Sequence, residues 1–120
     1  MFEEYSKIIN EAWENRDMLS NPPVRKTIED TISLLDQGKI RVAEKNDDEW
    51  TVNQWVKKAV ILYFPIRKME TIECPPFEFH DKIPLKTNFE KLGVRVVPHA
   101  IARYGAYQKK GVIMMPSYVN

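Results

Sequence analysis

From Phe2 to about Met18 the apolar residues Tyr5, Ile8, Ile9, Ala12 and Trp13 recur at intervals of one to four, which predicts an amphipathic helix. Asn15-Arg16-Asp17 and Asn21-Pro22-Pro23 punctuate its end. A second helix is predicted to start near Pro23, a residue tolerated in a first helical turn. Its stripe is Val24, Ile28, Ile32 and Leu35, and Gly38 is its natural stop. Two such segments in succession read as a helical hairpin whose stripes form core. The period then shortens to two. KIRVAEK alternates Ile40, Val42 and Ala43 with charged residues, NDDE makes a polar turn of four, and WTVNQW returns, so a β-hairpin is predicted. Trp50 and Trp55 bracket its second arm and are expected to pack the core rather than a cleft. QWVKKAVILYF predicts a short helix that brings Trp55, Val56, Ala59, Val60 and Tyr63 into contact range. Lys57 and Lys58 then fall on its polar side, a solvated face or a receiver for anions. Pro65, Pro75, Pro76 and Pro84 make the stretch to about Gly93 irregular, with short strands and loops.

After residue 96 the pattern changes again. Written in sixes from Val97, the tail is VPHAIA, RYGAYQ, KKGVIM and MPSYVN. The fifth column holds Ile101, Tyr107, Ile113 and Val119. The fourth holds Ala100, Ala106, Val112 and Tyr118. The third is mostly small: His99, Gly105, Gly111 and Ser117. The first is the weakest, with Val97, Arg103, Lys109 and Met115. A period of six is neither a helix nor a single strand, and it fits a hexapeptide β-helix with one inward apolar residue per segment. The competing reading is a β-hairpin with glycine turns. A solenoid needs about three or more coils and a polar cap. Four hexads make little more than one three-sided coil, so the chain is expected to be a fragment of something longer, with its last strand edges prone to association.

Composition narrows the function classes. The chain has 120 residues, 43% hydrophobic and 29% charged, a globular balance. A net charge of +1 points to neither nucleic acid nor a membrane surface. The single cysteine, Cys74, sits before Pro75-Pro76 in an expected loop. It excludes an intrachain disulfide and fits a reducing cytoplasm. No metal site is predicted around His80 or His99, no phosphate-cradling glycine loop is present, and no acidic pair is marked out for acid/base work. His80-Asp81 are neighbours along the chain, which does not make them face one another. Arg95, in GVRVVP, stands among apolar residues at the start of the solenoid. In an alternating strand Val94 and Val96 face one way and Arg95 faces the other. Its guanidinium is either a surface charge or a bidentate carboxylate receptor.

The stretches IINEAWENRD, LLDQGKIRVAEK, VNQWVKKAVILYF, DKIPLK, VRVVP and, most specifically, MPSYVN resemble the tetrahydrodipicolinate N-succinyltransferases. IRKMETIECPPFEFH departs from that family's pattern, and His99 falls at a variable position. The resemblance implies an α+β amino-terminal head, residues 1–92, made of the helical hairpin, the β-hairpin and the short helix. It is followed in residues 93–120 by the first coil of a left-handed parallel β-helix of hexapeptide repeats. It also implies a homotrimer and a succinyl transfer from the co-substrate succinyl-CoA to the amine of a dicarboxylate in lysine and diaminopimelate biosynthesis. No prosthetic group is implied. Arg95 maps onto the family's substrate-binding arginine, while the family's catalytic acid lies beyond Asn120, so this chain alone is expected to be inactive. The alternatives are a non-catalytic assembly or partner-binding module and another hexapeptide acyltransferase with a different acyl donor.

Overall fold

The computed structural model describes residues 2–120. Helix α1 spans Glu3–Glu14, with Glu3 and Glu4 in the first turn, where carboxylates favour the helix dipole. It is shorter than predicted. Asn15 turns extended, its side chain accepts from the Asp17 amide at 3.2 Å, and Arg16–Ser20 continue as a 3-10 helix. Helix α2 spans Pro22–Asp36 and buries the whole predicted stripe of Val24, Ile28, Ile32 and Leu35. Thr27 and Thr31 are buried beside it. Their hydroxyls donate back to Pro23 O and Thr27 O, so neither leaves an open donor in the core. The helix stops in a Schellman turn: Gly38 N donates to Leu35 O and Lys39 N to Leu34 O, both at 2.9 Å.

The hairpin of β1 (Ala43–Asn46) and β2 (Glu49–Val52) is antiparallel, with Ala43 opposite Val52. Only Asp47 and Asp48 lie between the strands, a tighter turn than NDDE suggested. Ile40 is buried just before β1. Trp50 corrects the expectation of a core residue: it is 69% exposed, because no other element covers this hairpin's face. Helix α3 spans Gln54–Ile66 and buries Val56, Ala59, Leu62 and Tyr63 against α1 and α2. Trp55 opens α3 rather than closing β2 and packs against Phe2, ring centroids 6.2 Å apart. Lys57 is exposed, but Lys58 turns inward and donates to Asn10 Oδ1 on α1 at 2.7 Å.

Strands β3 (Glu70–Cys74) and β4 (Phe77–Asp81) form a second antiparallel hairpin around Pro75-Pro76, so Cys74 ends a strand instead of sitting in a loop. Helix α4 (Phe89–Leu92) is a single turn closed by Gly93 at φ +70°. The tail then pairs in parallel. β5 (Arg95–Val96) lies beside β7 (Ile113–Met114), and β6 (Ile101–Ala102) beside β8 (Tyr118–Val119). Arg95 partners Ile113, eighteen residues on, and Ile101 partners Tyr118, seventeen on. The antiparallel glycine hairpin is thereby excluded. The difference arises because the turn at Met115–Ser117 is one residue shorter than that at Val97–Ala100, where Ala100 N donates to Val97 O.

Two apolar clusters result. One joins α1, α2 and α3 with Ile40 and Ile83. The other is small, centred on Val94, Ala102 and Met114. Its inward positions are the fourth and sixth columns, including Ala106 and Gln108, and the regular fifth column faces out, with Ile113 58% exposed. The last block is shifted by one: Val119 packs on this cluster and Tyr118 is exposed. Among the described residues no helix is long and apolar enough to cross a membrane.

Candidate functional site

Arg95 is presented by a short, tightly held strand. Gly93 supplies the left-handed turn that starts it, Val94 anchors it in the small core, and Arg95 N donates to Val112 O at 3.0 Å. With Val94 buried, strand alternation turns the Arg95 side chain outward, as its exposure shows. Among the described residues its guanidinium has no hydrogen-bond or ion-pair partner. The stem of Lys110 lies over Gly93, two residues away, where a Cβ would meet its Cγ at 2.8 Å. Beside Arg95 in register is the exposed Ile113, and Met115 and Tyr118 are exposed further on. This is an open cationic and apolar face. A unit charge pair at 4 Å is worth about 1 kcal/mol in bulk water and several times that once water is excluded. An uncovered fork therefore binds a carboxylate weakly, and a covered one binds it well.

Two ion pairs that the sequence does not reveal stand where the tail meets residues 1–92: Asp36–Lys86 lies within those residues and reaches the tail through the Gly105 amide, and Arg103–Asp81 joins the two directly. At the end of α2, Asp36 Oδ1 accepts from Lys86 Nζ at 2.7 Å and from the Gly105 amide at 3.1 Å. Lys86 also donates to Asp36 O at 2.9 Å, and its side chain is only 4% exposed. Lys86 N in turn donates to Ala102 O. In the second pair, Arg103 Nη2 donates to Asp81 Oδ2 at 2.7 Å. That hydrogen bond, followed by backbone donors at Lys82, holds the Asp81 carboxyl below its ordinary 3.8. Arg41 stacks on Tyr107 at 4.3 Å, adding a third tie.

The other candidates do not assemble into a site. His80 is exposed, with Nδ1 3.2 Å from Thr71 Oγ1, while its neighbour Asp81 points to Arg103. His99 packs edge-on against Phe77 at 5.3 Å. Cys74 is a free, exposed thiol. Sequence reasoning missed Asp36, Lys86 and Arg103. Arg103 stood in the weakest column together with Lys109, so its position alone did not single it out.

Residues 4–66 match the family described as tetrahydrodipicolinate N-succinyltransferase N-terminal. Curated relatives named 2,3,4,5-tetrahydropyridine-2,6-dicarboxylate N-succinyltransferase are similar over nearly all of the chain. The Bordetella petrii protein is 47% identical, across 93% of this chain and 45% of its own length. That of Pseudoalteromonas translucida is 46% identical, across 94% and 45%. That of an Azoarcus species is 45% identical, across 98% and 47%. The chain thus spans somewhat less than half the length of these relatives.

Proposed function

The chain belongs to the tetrahydrodipicolinate N-succinyltransferase family, and on that premise we propose that it is the amino-terminal part of an acyltransferase in lysine and diaminopimelate biosynthesis. The enzyme moves succinyl from succinyl-CoA to the amine of ring-opened tetrahydrodipicolinate. The observation that carries this reading is the 45–47% identity to N-succinyltransferases, sustained over 93–98% of the chain. Residues 1–92 are the head, and residues 93–120 open a left-handed parallel β-helix. In support, the tail has its own small core, and Arg95 and Ile113 pair in parallel eighteen residues apart, three hexads for a three-sided coil.

Within that enzyme Arg95 receives a carboxylate of the amino substrate. Its planar fork suits two oxygens at once. Being free of other partners, it gives up no ion pair to do so. The amine attacks the thioester carbon, the tetrahedral oxyanion collapses, the coenzyme leaves as thiolate, and the amine loses a proton. Arg95 contributes orientation to this sequence, holding the amine at attacking distance. It supplies neither the base nor the oxyanion donors, and no residue of the chain is assigned to those roles. The open face around Arg95 and Ile113 becomes a closed pocket when a neighbouring copy covers it, which favours a homotrimer with sites between subunits. A biosynthetic role of this kind and a lone free thiol both suit the cytoplasm.

Arg95→Lys keeps the charge and loses the fork. In an assay of thiol release from succinyl-CoA by the complete enzyme, KM for the amino substrate should rise about tenfold or more. KM for succinyl-CoA should move little. Equal, small effects on both constants make Arg95 a surface charge. No thiol release with this substrate pair overturns the enzyme reading itself.

A further inference from the structure

The turn that leads into β7 carries a second cation close to Arg95. Val112 N donates to Lys109 O at 3.1 Å and closes this turn. Gly111 N donates to Gly93 O at 2.9 Å and Arg95 N to Val112 O at 3.0 Å, so the turn is held against the start of β5. Lys110, within it, is exposed, yet its stem is seated. Its Cγ, Cδ and Cε lie 2.8, 3.5 and 3.4 Å from the point that a Cβ of residue 93 would occupy. Glycine, having no Cβ, leaves that space. The ammonium, one bond beyond Cε, is therefore held over the first residues of the strand that presents Arg95.

Neither cation is neutralised. Among the described residues the ion pairs are Lys26–Asp30, Lys86–Asp36 and Arg103–Asp81, and Glu90, the carboxylate nearest to both along the chain, joins none of them. Two like charges on one exposed face repel each other, and a ligand with two carboxylates matches both. Gly93 and Arg95 are separated by at most about 7 Å of extended backbone. Both side chains are long, so the pair spans the two ends of a short aliphatic chain rather than a single carboxylate.

We propose that Lys110 receives the second carboxylate of the amino substrate while Arg95 grips the first. The inference rests on the role given to Arg95 above, and it adds the means by which a dicarboxylate is told from a monocarboxylate. Arg95 binds as a fork, and Lys110 binds as a point charge. With both ends of the substrate held, the amine on the chain between them is fixed by two contacts instead of one.

The test is calorimetric titration of the complete enzyme with pimelate and heptanoate, seven-carbon acids with two carboxylates and one. Pimelate should bind about fivefold or more tightly than heptanoate, the worth of one further ion pair close to water. Lys110→Met keeps the stem and loses the charge. It should bring pimelate down to the affinity of heptanoate and leave heptanoate unchanged. Lys110→Arg should keep the preference for pimelate, and so should Lys109→Met, which removes the neighbouring charge. All three substitutions fall at exposed positions. In the thiol-release assay, Lys110→Met should raise KM for the amino substrate by about fivefold and leave KM for succinyl-CoA in place. The role of Lys110 is overturned if the unaltered enzyme binds neither acid or shows no preference, if Lys110→Met retains the preference, or if Lys109→Met removes it as fully. If the unaltered enzyme releases no thiol while its preference for pimelate still depends on Lys110, the reaction falls and the dicarboxylate site stands.

Discussion

Gly38 carries more constraint than its role as a helix stop suggests. Its φ is +68°, and a Cβ there would lie 2.7 Å from the Tyr107 ring. The same position therefore ends α2 and seats the coil residue on which Arg41 stacks. Gly38→Ala should destabilise the protein by about 1–2 kcal/mol through backbone strain, and more if Tyr107 is displaced. Equilibrium urea unfolding measures this, and loss of the Tyr107 contact shows as a changed tyrosine environment in near-UV circular dichroism. The helix stop was legible in the sequence. The aromatic partner was not, because it lies 69 residues along the chain and no local pattern points to it.

Among the elements, the β3–β4 hairpin is only lightly secured by burial. Its strands are largely exposed, and its last residue, Asp81, ties it to the coil through Arg103. Because the folded state holds the Asp81 carboxyl below 3.8, this contact adds stability that is complete above the unfolded value and is lost as pH falls through the lowered one. Urea midpoints between about pH 2 and 6 should therefore fall at the acid end. Asp81→Asn should lower the plateau and flatten that part of the slope. An unchanged slope would mean that other carboxylates dominate acid unfolding. The sequence made this stretch irregular because of its prolines. The short strands expected there are present, and Pro75-Pro76 forms the turn that pairs them, with Cys74 inside a strand rather than a loop.

At the scale of the whole molecule, residues 93–120 are held to the rest of the chain by the contacts of Asp36 with Gly105 and of Arg103 with Asp81. Asp36→Ala leaves the Lys86 ammonium buried without its counter-charge, at a cost of about 3 kcal/mol. The Gly105 amide also loses its acceptor. Denaturant unfolding should report the first effect and faster hydrogen exchange at Gly105 the second. A normal Gly105 exchange rate would show that the coil is held in other ways. The outward fifth column makes a different prediction. Ile113→Glu places a charge beside Arg95 on the exposed apolar face and should weaken association of the complete enzyme, measured by sedimentation, with little loss in the stability of one copy. Unaltered association would remove this face from the interface.

By itself, the sequence determined the parts whose signal is local. The spacing of Val24, Ile28, Ile32 and Leu35 set α2 and its buried face, Gly38 set its end, and the recurrence at six anticipated parallel pairing at close to eighteen. The motifs around Arg95 and MPSYVN carried the family. Only the tertiary structure decided phase and partnership. The repeat alone does not say which column faces inward: two-residue strands are too short to show alternation, and a turn one residue short at Met115–Ser117 shifts the last block. Nor does hydrophobicity say that Trp50 is exposed, since that depends on no element arriving to cover it. Asp36 with Lys86 and Gly105, and Arg103 with Asp81, are brought together across 50, 69 and 22 residues of chain. Such pairings follow from how packed elements meet in space, and no periodicity along the chain encodes them.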